Sequence, residues 1–232
     1  IKLEGNYWEI GEGPSGPDSE IFYDRGEKYD KKKLGIKLLQ EEIENDRYIE
    51  IWNNVFSQYN AEEGIPRSEY KELPHKNIDT GMGVERMACI MQGTETNYET
   101  DLFMPIMKKI EEICSIPYMG QMEFKVIADH IRTLTFALSD GAVFENVGRG
   151  YVLRRLLRRA SRMGKKLNIN REFLSDMVDV VVENYKDTYP DLVGTKSKVK
   201  ELIAKEERLF QKTLLAGEKR LEELFDSGTK VI

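Results

Sequence analysis

The segment from Asp79 to Arg86 combines residue types that could hold a phosphorylated ligand. It reads Asp-Thr-Gly-Met-Gly-Val-Glu-Arg and leads into a helix that is expected to begin near Val84. Gly81 and Gly83 would let a flat ligand lie against bare backbone, and Arg86, one turn into the helix, could reach a polyphosphate. The segment is neither a dinucleotide fingerprint nor a P-loop, because it has neither a third glycine nor Gly-Lys-Ser/Thr. By spacing alone, Gly-X-Gly is more often an ordinary turn than a ligand site.

A second candidate surface is a strongly basic helix. Residues 149–171 contain nine Lys or Arg and no acid, although the chain carries a net charge of −6. At about 100° per residue, the basic side chains of this helix occupy an arc of about 140° that excludes its apolar ones. Arginine makes bidentate contacts with phosphate. The basic positions are Arg154, Arg155, Arg158, Arg159, Arg162, Lys165 and Lys166.

Three interpretations of this helix remain open at this point. It could bind an RNA backbone, or it could be a solvated helix whose arginines pair with acids elsewhere in the chain. It could also lie on a membrane surface, although its apolar face lacks the Trp and Phe that such helices favour.

The elements that could position these groups are strands, loops and helices in the first part of the chain and helices alone in the second. The clearest strand is Tyr48–Phe56, which is rich in β-branched and aromatic residues, whereas Gly and Pro over residues 11–17 predict a loop. Beyond residue 103 the apolar spacing predicts helices only. The sequence therefore predicts an α+β chain with a mixed part, 1–103, and an all-helical part, 104–232. The helices are expected at Met104–Cys114, 124–138, 151–167, 173–185 and 196–225.

Composition limits the remaining possibilities. Of 232 residues, 40 % are hydrophobic, and the longest uninterrupted apolar run is Met87–Met91, so no membrane span is expected. Cys89 and Cys114 do not make a disulfide framework, which favours a reducing, cytoplasmic setting. The start at Ile1 has no signal-peptide pattern, and we interpret the chain as a piece of a longer protein.

Six stretches resemble the alanyl-tRNA synthetase family of class II aminoacyl-tRNA synthetases, in family order and over nearly the whole chain. Residues 79–86 match class II motif 3, Gly-X-Gly-X-Glu-Arg. The other five are Asn6-Tyr7-Trp8, Gly13–Asp24, Tyr48–Asn53, Ile127–Arg132 and Arg149–Arg155. The resemblance implies part of an antiparallel class II sheet followed by a helical tRNA-recognition domain.

The resemblance also implies a ligase that activates alanine with ATP and transfers it to tRNA(Ala). In that pattern Asp79 holds the alanine ammonium, Trp8 forms a wall of the pocket and Asn53 hydrogen-bonds the bound alanine. Gly81 and Gly83 let alanine and ATP approach the backbone. Arg86 contacts the γ-phosphate and neutralises charge on the leaving group.

Glu50 is implied as a contact to ATP or Mg²⁺, but its position in the strand raises an objection. Glu50 and Asn53 are an odd number of residues apart, so in a regular strand they point to opposite faces. Both can face one pocket only if a bulge intervenes or the strand ends between them. We expect Trp8, Asn53, Asp79 and Arg86 to surround one cavity. Outside the resemblance, Trp8 could be a core aromatic, Asp79 a helix cap and Glu50 a solvated strand residue.

For the helical part, the resemblance implies contacts with the tRNA acceptor stem. Asn146 aligns with the asparagine that reads the G·U pair of that stem, and the wide RNA minor groove admits an amide. The arginines would position the stem through its phosphates. They are Arg149, Arg154, Arg155, Arg158, Arg159 and Arg162.

The chain also departs from the family pattern. Motifs 1 and 2 precede this region in the family, and the editing domain with its zinc site follows it. We therefore expect no zinc and no certain metal ligand here, and we expect this chain alone not to form alanyl-adenylate. Ser15 and Asp18 stand where the family pattern has cysteines. The oligomeric state stays open.

Two rival functions come from other classes. One is an RNA-binding adaptor whose catalytic half has decayed, and the other is a class II relative that loads a carrier protein. Retention of Trp8, Asn53, Asp79 and Arg86 together disfavours the first, and the basic helix disfavours the second.

Overall fold

A computed structural model of the protein describes residues 5–226. The chain divides into two compact units, residues 1–100 and 101–232. The first unit contains a four-stranded antiparallel sheet, and the described part of the second is built of helices. The α+β class expected from the sequence is confirmed.

The strands of the first unit lie in the order in which they occur along the chain, and each pairs antiparallel with its neighbour. Strand β3 contains the predicted segment from Tyr48 and extends five residues beyond its expected end at Phe56. Consecutive antiparallel neighbours need only short connections. The strands are β1 (Tyr7–Trp8), β2 (Gly13–Asp24), β3 (Tyr48–Ala61) and β4 (Lys71–Met82).

The loop prediction for residues 11–17 was wrong from Gly13 onward, because these residues form the first half of β2. A Cβ atom at Gly16 would lie 2.0 Å from the carbonyl oxygen of Phe56, so only glycine lets β2 pass this close to β3. The pairing of β2 with β3 shifts between Ser15 and Asp18. Proline is tolerated at such irregularities, where regular ladder hydrogen bonds are interrupted.

Short helices connect and follow these strands. Helix α2 (Val84–Gln92) begins at the predicted residue and is capped at its C-terminus by Gly93. The φ of Gly93 is 65°, the left-handed conformation that favours glycine. The other helices of this unit are α1 (Lys37–Gln40) and the 3₁₀ helices Glu27–Tyr29, Arg67–Glu69 and Asn97–Glu99.

The second unit packs its helices around α4. The side chains of Phe124, Ile127, Ile131 and Leu134 on that helix are fully buried, and α4 contacts each of the other four helices. All five predicted helices are present, with ends that differ by a few residues. They are α3 (Met104–Cys114), α4 (Met122–Ser139), α5 (Gly148–Lys166), α6 (Leu174–Tyr185) and α7 (Asp191–Asp226).

Within residues 5–226, every helix is too short or too polar to cross a membrane. Cys89, which is buried, and Cys114 are both free thiols.

Candidate functional site

Strand register brings three of the predicted site residues to one face of the sheet. Asn53 on β3 lies directly opposite Gly81 on β4, and Val55 lies opposite Asp79. Residues directly opposite each other share a face, with Cβ atoms about 5 Å apart, and alternate residues along a strand share a face too. Asn53, Asp79 and Gly81 therefore lie on the same face, across adjacent strands.

The bulge that Glu50 requires is present. Glu20 and Phe22 of β2, two residues apart, pair with Asn53 and Glu50 of β3, which are three apart. The register shift that absorbs the extra residue lies between these two pairs. One extra residue in a strand moves the side chains beyond it to the other face. Glu50 consequently shares the face of Asn53.

Arg86 projects from the first turn of α2 toward this carboxylate. Its Nη1 donates to Glu50 Oε2 at 2.8 Å and to the Glu50 carbonyl oxygen at 3.1 Å. A Cβ at Gly83 would lie 3.3 Å from Arg86 Cδ, so the glycine leaves room for the arginine stem. The Arg86 side chain is 46 % exposed, so the guanidinium remains open to an anion from solution.

Asp79 lies inside β4 and does not cap a helix. The N-cap of α2 is Gly83, with no side-chain hydrogen bond. One Asp79 carboxylate oxygen accepts the backbone N–H of Thr80 at 2.8 Å, and the residue is exposed. The alternative of a helix cap is therefore wrong for Asp79.

Trp8 reaches the same region from the edge of the sheet. It pairs with Gly16 of β2, and its indole N–H donates to the Phe56 carbonyl oxygen of β3 at 3.0 Å. Phe56 follows Val55, the partner of Asp79 in the ladder. Trp8 is half-buried against backbone and lies outside the apolar core.

Two carboxylates of this face were not singled out from the sequence as site residues. Asp18 and Glu20 alternate along β2 and pair with Val55 and Asn53. Partial burial raises the pKa of Glu20, and the neighbouring Glu50 and Asp18 raise it further. The signal for them was their two-residue spacing, which is informative only once this stretch is known to be a strand.

A cleft of about 990 Å³ opens beside these carboxylates. Its lining comes from β2, including Asp18, Glu20 and Phe22, and from the segment around α1. Among the described residues, Asn53, Asp79 and Arg86 are not part of that lining. The sheet thus places Asn53, Asp79 and Gly81 on one face next to this cleft, and the cleft is not a single cavity lined by Trp8, Asn53, Asp79 and Arg86 together.

Two polar atoms on this face lack a partner within the described chain. Asn53 Oδ1 and Asp18 Oδ1 are buried atoms without a hydrogen bond. Buried polar groups are nearly always satisfied, and an amide oxygen and a carboxylate both accept from a donor such as an ammonium group.

The same face can be tested for its fit to a metal ion. Within residues 5–226, no group of three His, Cys, Asp or Glu side chains is arranged to hold one. Magnesium commonly uses only one or two protein carboxylates together with phosphate oxygens of the substrate. Glu50 and Glu20 fit that smaller role.

In the second unit, the exposed side of α5 carries most of the predicted arginines. Arg149, Arg155, Arg159 and Arg162 are exposed, and no described acid forms an ion pair with them. The hydrogen bond from His130 is the main cause that lowers the pKa of Asp129, and the positive charge of Arg159 lowers it further.

Arg154 and Arg158 behave differently, and the assignment of Arg154 to the exposed basic arc was wrong. The Arg154 side chain is only 17 % exposed and pairs with Glu206 of α7, 2.8 Å away. Arg158 also approaches Glu206, at 3.6 Å, but is 44 % exposed. On the helical wheel Arg154 lies about 20° from the buried Ser161, at the edge of the packed face. The interpretation that the arginines of this helix pair with acids elsewhere in the chain is therefore correct for Arg154 and Arg158.

Asn146 lies in the loop between α4 and α5 and is exposed. Its side-chain oxygen accepts a hydrogen bond from Arg154 Nη1. The described structure therefore brings Asn146 together with Arg154, on the side of α5 that faces α7.

A sequence profile of the family described as "tRNA synthetases class II (A)" matches residues 1–231. Curated relatives named "Alanine--tRNA ligase" include the proteins of Lactococcus lactis subsp. cremoris SK11, Acholeplasma laidlawii PG-8A and Streptococcus mutans UA159. They are 57 %, 56 % and 55 % identical to the chain over 227, 228 and 227 residues, which is 97–98 % of the chain. These matches cover 26–27 % of each relative, so the chain spans about a quarter of their length.

Proposed function

The chain belongs to the class II (A) tRNA synthetase family, and on that premise we propose that it acts as part of an alanine–tRNA ligase. In the first step the alanine carboxylate attacks the α-phosphate of ATP, which forms alanyl-adenylate and releases pyrophosphate. In the second step alanine is transferred to tRNA(Ala) and AMP is released. The observation that carries this proposal is 57 % identity over 97 % of the chain to the L. lactis protein of that name.

The shared face of β3 and β4 supports an amino-acid site. The Asp79 carboxylate would pair with the alanine ammonium, and the unpartnered Asn53 Oδ1 would accept one of its N–H groups. Gly81, with no atom within 4 Å of its absent Cβ, leaves space for the substrate. Trp8 would bound the site on the side of β1. Fixing a small substrate by a charge pair and a directed hydrogen bond holds its carboxylate in one orientation for attack on ATP.

Arg86 and Glu50 support a nucleotide site beside it. Arg86 would bind the γ-phosphate and stabilise the charge that develops on the pyrophosphate leaving group. Gly83 would let the nucleotide approach the backbone. Glu50, with its carboxylate 2.8 Å from Arg86, would either orient that arginine or contribute one oxygen to Mg²⁺. The metal, when bound together with ATP, neutralises phosphate charge.

The exposed side of α5 supports a site for the tRNA acceptor stem. Arg149, Arg155, Arg159 and Arg162 would contact phosphates, and Arg158 would reach them from the edge of that side. Asn146 would read the edge of a G·U pair in the minor groove. Arg154 would act on the RNA only through Asn146.

A chimeric enzyme tests this proposal. The chain would replace the matching segment of the L. lactis ligase, and alanine-dependent exchange of pyrophosphate into ATP would be measured. We expect the chimera to be active and the Asp79→Ala chimera to lose exchange by a factor of 100 or more, as expected for the loss of about 3 kcal/mol of charge-assisted hydrogen bonding.

Glu72→Ala is the matched control, since Glu72 is also an exposed acid of β4 but pairs with Lys76. We expect this variant to keep full exchange, and the isolated chain to show none because it spans a quarter of the relatives. An inactive but folded chimera that still binds tRNA would favour the RNA-binding adaptor instead. Normal exchange by Asp79→Ala would refute the role of Asp79.

A further inference from the structure

The loop that carries Asn146 is packed tightly against the first turn of α5. A Cβ at Gly150 would lie 2.5 Å from the Val143 carbonyl oxygen and 2.7 Å from Glu145 Cβ. Both distances are shorter than real Cβ contacts, so only glycine at 150 permits this packing. The backbone leading to Asn146 is therefore fixed by a close approach to the helix.

The Asn146 side chain is fixed by a second contact. Arg154 Nη1 donates to Asn146 Oδ1. A guanidinium group can only donate, so the amide atom that it contacts must be the oxygen. Arg154 is the only hydrogen-bond partner of this side chain within the described residues. The amide N–H groups are the donors that stay available.

Arg154 is in turn held by a buried carboxylate. Its Nη2 donates to Glu206 Oε2 at 3.2 Å, and its Nε lies 2.8 Å from Glu206 Oε1 as an ion pair without hydrogen-bond geometry. The Glu206 side chain is 7 % exposed. One hydrogen bond and one close ion contact to the same carboxylate restrain both the position and the orientation of the guanidinium group. Because the guanidinium group is planar, this restraint also orients Nη1 toward Asn146 Oδ1.

We propose that Glu206 and Arg154 are positioning residues that hold Asn146 with its amide oxygen occupied and its N–H donors free for RNA. The N–H groups of Asn146 can bond only to a hydrogen-bond acceptor in the groove, such as purine N3 or pyrimidine O2. Both G·U and G·C present these acceptors, so a fixed amide would distinguish the pairs by the shifted position of the uracil O2 in the wobble pair. This arrangement makes α7, through Glu206, part of base recognition without touching RNA. The inference rests on the proposed reading of the acceptor stem by Asn146.

The test compares binding of the 232-residue chain to two RNA hairpins of acceptor-stem sequence, one with the G·U pair and one with G·C in its place. We expect the unaltered chain to prefer G·U and Asn146→Ala to lose that preference. Glu206→Gln removes the negative charge and one of the two oxygens that lie against Arg154, so it holds the guanidinium group less firmly. We expect it to lower the preference roughly five- to tenfold, a large part of what one good base contact supplies.

The double variant Asn146→Ala with Glu206→Gln should show no further loss, because both changes act through one contact. Glu207→Gln is the matched control, since Glu207 is the next residue, is also buried, and bonds to Phe173 and Leu174 instead. We expect it to keep the preference. If Glu206→Gln does not fold by circular dichroism, Arg154→Lys replaces it: lysine keeps the charge but cannot contact both partners.

The outcomes separate this inference from the proposed function. Equal affinity of the unaltered chain for both hairpins would refute base reading by Asn146, and this inference with it. A preference that Asn146→Ala removes but that folded Glu206→Gln or Arg154→Lys retains would refute the positioning role alone.

Discussion

The sheet unit and the helical unit differ in what holds them together. In the helical unit, apolar side chains from all five helices are buried, and many are fully inaccessible. In the described part of the sheet unit, the buried apolar residues are Leu38, Ala61 and Cys89. The sheet unit is thus defined mainly by its ladder of backbone hydrogen bonds, and the face that carries the proposed substrate site is left open.

One ion pair from each proposed site shows the same difference. Arg86 and Glu50 have side chains that are 46 % and 31 % exposed, whereas Arg154 and Glu206 are 17 % and 7 % exposed. An exposed pair is held weakly, so a phosphate can compete for Arg86. Breaking a buried pair leaves a charge without a partner, so Arg154 is suited to holding a neighbour in place. Their degree of burial thus agrees with the roles that we propose, ligand binding for Arg86 and positioning for Arg154.

The largest expected effect tests the difference in cores. Phe173→Ala should lower the free energy of unfolding of the helical unit by about 3–5 kcal/mol, because Phe173 is 1 % exposed and its removal leaves a cavity. Ile78→Ala in β4 should cost less than about 0.5 kcal/mol, because Ile78 is 65 % exposed. Native-state hydrogen exchange would measure each unit separately, and similar losses in both would contradict the comparison.

A buried acid in the helical unit gives the next effect. Glu207 accepts the backbone N–H groups of Phe173 and Leu174 at the start of α6, yet burial raises its pKa to about 7. The folded state then binds more protons than the unfolded state between pH 4.5 and 7, so the free energy of unfolding should fall as pH rises through this range. The expected fall is roughly 3 kcal/mol.

Glu207→Gln keeps a carbonyl oxygen for the same backbone groups and cannot titrate, so its curve should lack this fall. Chemical denaturation followed by far-UV circular dichroism at several pH values would compare the two proteins. Parallel curves would show that Glu207 is ionised throughout.

In the sheet unit, the fit of the backbone should matter more than apolar burial. Gly16→Ala should destabilise this unit by about 1–3 kcal/mol, because the added Cβ would meet the Phe56 carbonyl oxygen at 2.0 Å. Gly81→Ala is the control, since nothing lies within 4 Å of the added atom. Hydrogen exchange of β2 and β3 amides would report the loss, and equal behaviour of the two variants would argue against a close strand approach.

The smallest effect on stability should accompany a clear effect on RNA affinity. Arg155→Ala combined with Arg159→Ala should leave unfolding nearly unchanged, because both side chains are exposed. It should weaken acceptor-stem binding about equally for all sequences and reduce the salt slope by about one unit per lost phosphate contact. Arg171→Ala with Arg208→Ala removes the same charge from residues paired with Asp176 and Glu172. An equal change of slope in this control would contradict a specific role for α5.

Much of the secondary structure could be predicted from local pattern. The start of α2 at Val84 and both ends of α3 agree with the structure, because apolar spacing is a local property. The β2 strand over Gly13–Pro17 could not be predicted, since the reason for Gly16 is a carbonyl oxygen forty residues away. Asp18 and Glu20 were overlooked as site residues because the face that they share with Asn53 depends on the pairing of β2 with β3.

The sequence by itself determined the family pattern, the two kinds of unit and the chemistry available at Asp79, Arg86 and α5, because these depend on residue type and short spacing. Tertiary structure decided which groups share a face. The bulge that returns Glu50 to the face of Asn53 depends on pairing between strands. The removal of Arg154 from the exposed arc depends on Glu206, which is 52 residues away in the chain. Such long-range pairings produce no periodic pattern in the local sequence, so they could not be predicted from it.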